Sequence, residues 1–399
     1  MPDTDLDDLG AAWLAALERE LPGAAELRRR IHADARVSGC ERPTADRVAE
    51  AVGAAFEPAA DTGGVARFGP QEGPCVLVRA ELDALPVRER TGVDWACDTG
   101  AMHACGHDVH LAALAALLRA ARGLELPVGL LAVLQPREET YPSGAQDLRE
   151  AGLLDRWDVA RAVGAHVHPG VPRDGVATGP GPVNAASSEI EIVVRGAGGH
   201  GAYPHQARDV AAAVSGIVLA LPELVRRAVD PLAPALVSVG TIVVGEGSAN
   251  VLPGEGRIRA MLRTIRPGDD ERVVEAVRRF AAGHAAGLGA EAQVEWTVGE
   301  PVLANDAELV RAFEERLPGL GLEAAAPMRS LGADDFSFFA EAVPSIMCFV
   351  GVDSAGPEPG ASLHDPTFLP DDGAVARVAR AMLGGYLAAV ETMRAGGPA

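Results

Sequence analysis

Apolar residues recur at helical spacing from residue 8 to about 55, with Leu, Ala, Ile and Val separated by Arg and Glu. This spacing predicts two helices, punctuated by Pro22-Gly23 and Ser38-Gly39. The pattern then changes. Residues 74–80 form a near-continuous apolar run, as in a strand buried on both faces, which ends in Glu81-Leu82-Asp83-Ala84-Leu85-Pro86. Residues 108–122 read as an Ala/Leu helix. Residues 128–134 read as a second buried strand closing on Gln135-Pro136-Arg137-Glu138-Glu139, and a third run, 162–165, ends at His166. Helices alternating with such strands predict an α/β sheet with helices on both faces, in which ligands bind beyond the carboxyl ends of the strands.

After Asn184 the period shifts to two. Residues 189–195 alternate polar and apolar, as a strand with one wet face does. A helix over 208–229, strands over 235–244 and 257–265, a helix over 269–286 and a strand over 292–298 follow. The order strand-helix-strand-strand-helix-strand predicts a ferredoxin-like α+β unit, here inserted into the first domain because its ends can lie close together. The expected organisation is therefore one α/β domain from 1–184 and 299–399, with an inserted domain at 185–298. The α/β character returns with a helix from 306, a strand at 345–350 and a closing helix over 372–394, interrupted by a Gly/Pro-rich loop at 353–360.

Composition narrows the classes. A chain of 399 residues that is 48% hydrophobic has material for two or three domains, at about 150 residues each. A formal net charge of −21 disfavours a polyanionic partner such as nucleic acid. All 35 basic residues are arginine, a compositional bias without functional content. Five irregularly spaced cysteines do not resemble a disulfide framework, and the first eight residues are acidic, opposite to the basic start of a signal peptide. No apolar run reaches the ~18 residues of a membrane span. A cytoplasmic protein is expected.

The chemistry concentrates in Met102-His103-Ala104-Cys105-Gly106-His107-Asp108-Val109-His110, where three of the 10 histidines fall beside a cysteine and an aspartate. A thiolate and an imidazole so close in sequence can converge on one cation where Gly106 permits a turn, with Asp108 as acceptor for a ligand imidazole. Glu138 and Glu139, adjacent in extended chain, would point to opposite sides, one towards metal and one towards substrate. His166 and His168 share a face after a strand, and His364 is followed by Asp365, which could orient it. In the inserted unit, the small residues around His200 leave its imidazole free to enter a cleft and donate to an oxyanion. Asn250 and Arg263 are the other polar candidates, the arginine as a carboxylate clamp.

Taken in order, Leu27-Arg28-Arg29 through His32, the segments 79–86, 102–110, 135–139, 164–167, 198–205 and 250–253, Gly332-Ala333-Asp334-Asp335-Phe336-Ser337 and Leu363-His364 resemble the M20 family of co-catalytic metallopeptidases, in its amidohydrolase branch. The resemblance implies a zinc-peptidase-like catalytic domain with a mixed central sheet flanked by helices, and a lid and dimerisation role for the insertion. It implies Cys105 as a thiolate bridging two divalent ions, with His107, Glu139, His166 and His364 as the other ligands. Glu138 would be the general base and Asp83 a carboxylate orienting a ligand. His200 would reach the partner subunit's site in a homodimer, or within a tetramer, and Asn250, Arg263 and Gly332 would contact substrate. Zinc is the first expectation for the metal, with manganese, nickel and cobalt as alternatives. The expected reaction is hydrolysis of N-acyl amino acids or similar small amides. A dipeptidase or carboxypeptidase, or a silent metal-binding scaffold, is the alternative. The chain departs from the family's usual residues at Glu81 (Asp), Val109 (Gly), Arg137 (Ala), 140–143 (a Gly-rich run), His168 (large and apolar) and Asp334 (Glu). Those nearest Glu138 and His166 lie where substrate side chains would be felt.

Overall fold

A computed structural model describes residues 4–245 and 247–395; the first three residues of the acidic amino-terminal stretch lie outside them. The chain folds as two compact units. One comprises the residues up to Val183, Ala304–Met328 and the chain from Asp335 onwards; the other is Asn184–Leu303 with Arg329–Asp334.

The first unit begins with helices α1 (Leu6–Ala33) and α2 (Arg42–Val52). Asp5 caps α1 by accepting from the amides of Asp7 and Asp8. Two helices are present, but Pro22 lies inside α1 instead of ending it. Trp13, Leu17, Ala24, Leu27 and Ile31 continue one buried stripe through the proline, and that burial outweighs a backbone cost of about 3 kcal/mol. The Trp13 indole donates to the carbonyl of Leu117 and meets Tyr386 edge-on, tying α1 to two other buried helices.

Strands β1 (Glu57–Ala59), β2 (Gly63–Phe68), β3 (Cys75–Glu81), β4 (Gly129–Gln135), β5 (Val159–His168) and β6 (Gly175–Ala177) join Ser345–Gly351 and Glu323–Ala324 in one mixed sheet. The spatial order is β1-β2-β4-β3-β5, then Ser345–Gly351, β6 and Glu323–Ala324. The central strands β4, β3, β5 and Ser345–Gly351 are parallel; β1, β2 and β6 add antiparallel pairings towards the edges. Every residue of β3 and β4 is buried, which is why neither shows alternation. Helix α3 (His107–Ala120) and the carboxyl-terminal helix Ala374–Ala395 pack with α1 in the same core. Strand β5 is longer than the 162–165 run because its pairing continues through His166 to His168 along Ser345–Gly351.

In the second unit the strands Ala186–Arg195, Ala235–Val244, Glu255–Thr264 and Glu291–Val298 form one antiparallel sheet, with Ala235–Val244 and Glu291–Val298 at its edges. Helices Val210–Ala228 and Asp269–Gly287 supply Val214, Ile217, Leu221, Val273 and Val277 to a core shared with Ile190, Ile192, Ile258 and Leu262. Among the described residues no helix is long and apolar enough to cross a membrane.

Candidate metal centre

Parallel pairing brings the ends of β3, β4 and β5 to one edge of the sheet, with Glu81 in register with Gln135. The segments after these strands carry Asp83, Glu138 and Glu139, and β5 itself carries His166. The fourth contributor is the buried turn before α3. Gly106 adopts φ +83° there, and a Cβ would lie 2.4 Å from the Val167 side chain, so both conformation and space require glycine.

The ring nitrogens of His107 have separate partners. Nδ1 lies 2.8 Å from the backbone carbonyl of Asp83 and donates to it, while Nε2 is buried without a hydrogen bond, 3.9 Å from a Glu138 carboxylate oxygen. His166 repeats the arrangement: Nδ1 lies 2.7 Å from the Val167 carbonyl, and Nε2 lies 3.5 Å from Cys105 Sγ. Each imidazole thus turns Nε2 inward, the nitrogen that becomes a metal ligand once it has lost its proton. Cys105, His107 and Glu139 place a ligand atom each within 4.8 Å of one another. Exposed His364 lies at Glu139, its Nε2 3.4 Å from Oε1, and its amide donates to the Ala104 carbonyl. Its φ of +67°, unusual for a residue with a side chain, marks it as a held position.

The electrostatics of the pocket favour a cation. Burial, and then the charges of Glu139, Glu138 and Glu81, push the Cys105 thiol well above its ordinary range. Burial works against protonating His107, yet Asp83, Glu81 and Glu139 together raise it to about 10. Burial, with His110 and His107 nearby, holds His166 well below the usual histidine value, so it is neutral. A buried, carboxylate-rich pocket holding a thiol and two inward-facing imidazole nitrogens suits soft and borderline divalent ions.

Several expectations are corrected by the geometry. Asp108 does not orient a ligand imidazole; it accepts from Arg28 Nε at 3.0 Å and pairs with His32 Nδ1 at 3.1 Å, while the Asp83 carbonyl orients His107. Asp365 accepts from the amide and hydroxyl of Thr367 and makes no bond to His364. Glu138 and Glu139 lie on a bend that follows Arg137 at φ +51°, not on extended chain. The Asp83 carboxylate accepts from Ser38 Oγ and the Glu139 amide, with Oδ1 3.7 Å from His107 Nδ1. His110 lies among Glu81, His107 and His166, but Nδ1 bonds Glu81 at 2.8 Å and Nε2 accepts from the Val167 amide at 3.0 Å, leaving it no lone pair for a metal. His168 accepts from the Gly170 amide.

Sequence reasoning missed the system beneath the turn. His32 lies between Asp108 and Glu89, and Arg28 also donates to the Pro370 carbonyl at 2.8 Å. Burial lowers the His32 pKa, but hydrogen bonds and charges from Asp108 and Glu89 override it and raise the value to about 9. The protonated form is therefore favoured by folding. Its contribution, about 3 kcal/mol, is complete below pH 6.5 and disappears as pH rises through 9. Urea unfolding of the metal-loaded protein between pH 6.5 and 9.5 will show this decline, and His32→Ala will flatten it; an equally steep decline in the variant would contradict the assignment.

In the second unit, His200 pairs with Val251 in a short ribbon, and the Gly201 amide donates to the Asn250 carbonyl, so these two candidates are neighbours. His200 is exposed, its Nδ1 accepting from the Ala202 amide, which leaves Nε2 as the donor. The Asn250 side chain accepts from Ser248 Oγ. Arg263 stands opposite Ser187 on the sheet with a buried, unbonded Nη1. Gly332 accepts from the Ala185 amide through its carbonyl, and its own amide donates to Ser330 Oγ.

The chain is similar to known proteins over most of its length. The chain is 34% identical over 322 residues to an N-acetylcysteine deacetylase of Bacillus subtilis, covering 80% of this chain and 82% of the relative. It is 33% identical over 302 residues to an N-acetyldiaminopimelate deacetylase of Shouchella clausii, covering 75% and 79%. A crystal structure of a dinuclear metal binding peptidase of the M20 family from Bacillus subtilis superposes with a TM-score of 0.80 at 28% identity, covering 94% of this chain and 99% of that one. A putative aminohydrolase from methicillin-resistant Staphylococcus aureus gives 0.87 at 27% identity, covering 95% and 99%. The model of peptidase family M20/M25/M40 matches residues 77–393. The chain belongs to that family.

Proposed function

We propose that this protein is a dinuclear-metal amidohydrolase that cleaves N-acyl amino acids, or similar small amides, to a carboxylic acid and a free amine. The observation that carries the reading is the inward-facing set of Cys105, His107 and Glu139, adjoined by His166 and His364, with Glu138 beside it. The deacetylase names of its relatives supply the substrate class. Cys105, His107, Glu139, His166 and His364 would hold divalent ions, zinc first among the candidates, and such ions would supply Lewis acidity and make water a stronger nucleophile at neutral pH.

The remaining steps belong to side chains. Glu138 takes a proton from the attacking water and returns it to the departing amine. Asp83, through its carbonyl, keeps the His107 ring in the tautomer that a ligand needs. His200 donates from Nε2 to the developing oxyanion, and Arg263 and Asn250 hold the amino acid's carboxylate and carbonyl region. The antiparallel unit, with its ferredoxin-like order of strands and helices, acts as the lid and as the surface of a homodimer. The five cysteines are free, as in a reducing cytoplasm.

Reconstitution with each of zinc, manganese, nickel and cobalt, followed by a panel of acetyl- and benzoyl-amino acids and of dipeptides read by released amine, tests the reading. Turnover of the N-acyl compounds above the dipeptides is expected. Preference for dipeptides would make the protein a small-peptide hydrolase, and no turnover with metals loaded would make it a scaffold.

A further inference from the structure

The loop carrying Glu138 and Glu139 is fastened by a side chain of its own. Arg137 stands at φ +51°, and its guanidinium reaches in two directions. Nη1 binds the Asp61 carboxylate at 2.9 Å, on the turn between β1 and β2, and Nη2 binds Asp147 in helix α4 (Gly144–Glu150). The Arg137 amide donates to buried Glu41 at 2.9 Å, and two residues on the Glu139 amide donates to Asp83 at 3.0 Å. The space around the loop is closed on both sides. A Cβ at Gly144 would lie 1.8 Å from the Pro136 carbonyl oxygen, and one at Gly63 would lie 2.7 Å from the Pro136 ring.

We infer that Arg137 is a positioning residue, a two-way clamp that holds the left-handed turn and so sets where Glu138 and Glu139 stand. A left-handed residue with a side chain persists only where its surroundings over-determine it, and here the guanidinium and the two amide bonds do so. Where the family's usual alanine stands, the side-chain half of this clamp is absent. Arg137 touches no reacting atom; it acts through the geometry of the two glutamates, where an error of about 1 Å is enough to cost 100-fold in rate. The consequence for catalysis rests on the amidohydrolase reading above, whereas the consequence for the loop does not.

The test compares metal-loaded parent, Arg137→Ala, Arg137→Lys, Asp147→Asn and the Ala/Asn double variant. Backbone amide exchange across 136–143, metal content, and kcat and KM on an N-acetyl amino acid are measured. In Arg137→Ala, exchange in the loop rises about tenfold or more, because local opening is no longer opposed. Its kcat falls about 10- to 100-fold, with KM within about threefold and metal content unchanged. Lysine, a point charge that cannot bridge both carboxylates, gives partial rescue. The double variant is no worse than Arg137→Ala, since the pair acts as one unit. Unchanged exchange in Arg137→Ala, or full additivity of the two single losses, overturns the clamp. If Arg137→Ala fails to fold, Arg137→Lys and Asp147→Asn make the same comparison. If the parent hydrolyses no amide, the functional reading falls while loop exchange still decides the clamp.

Discussion

Glu138→Gln will retain the parent's metal content and lose about 100- to 10,000-fold in kcat, the range expected when a positioned general base is removed. The reasons are geometric. Glu138 lies 3.9 Å from His107 Nε2, yet it is outside the Cys105, His107 and Glu139 set whose ligand atoms converge. Glutamine keeps the size of glutamate but cannot take a proton. Metal analysis beside steady-state kinetics separates the two roles: a variant with near-parental rate would remove Glu138 as the base, and one depleted of metal would make it a ligand. Glu138→Asp, with its carboxylate drawn back by one methylene, will fall between glutamine and the parent.

Cys105→Ala and His107→Ala will each lose metal, with apparent affinity falling at least about 100-fold, since partners one shell further out already cost 10- to 100-fold. His107 has Nδ1 committed to the Asp83 carbonyl and Nε2 without a hydrogen-bond partner, directed into the site. The pH dependence is distinctive. Without metal, burial and surrounding carboxylates hold the Cys105 thiol protonated, and Asp83, Glu81 and Glu139 overcome burial to keep His107 protonated up to about pH 10. Loading must displace both protons, so affinity near neutrality will weaken about 100-fold for each pH unit lowered. Calorimetry in buffers of different ionisation heat will count about two protons released by the parent and about one by each variant that still binds. Unchanged metal content in either variant would remove that residue from the centre.

Much of the first unit was legible because buried parallel strands are apolar on both faces. The runs ending at Glu81 and Gln135 therefore announced themselves, and polar residues just beyond a strand end in such a sheet fall at the ligand-binding edge. The residues named there, Asp83, Glu138, Glu139 and His166, do lie together with Cys105 and His107. Helical boundaries were less legible. Pro22 is a breaker by local rules, and only the stripe from Trp13 to Ile31 explains why α1 runs through it.

The sequence by itself determined which elements form and which residue types the strand ends present, since periodicity and burial are properties of short segments. The local pattern alone did not rank His103, His107, His110 and His166, and the family resemblance singled out His107 and His166 without a physical reason. The tertiary structure supplied that reason, because a ring nitrogen's role depends on its hydrogen-bond partner, and those partners are distant in the chain: the Asp83 carbonyl for His107, Glu81 and the Val167 amide for His110. Asp108 makes the same point, since its position beside His107 suggested a ligand's acceptor while Arg28 and His32, brought in by α1, occupy it. The Arg137 clamp likewise exists only once Asp61 and Asp147 converge on it. Local sequence sets the donors and acceptors; long-range packing decides which of them are satisfied by protein and which remain free for chemistry.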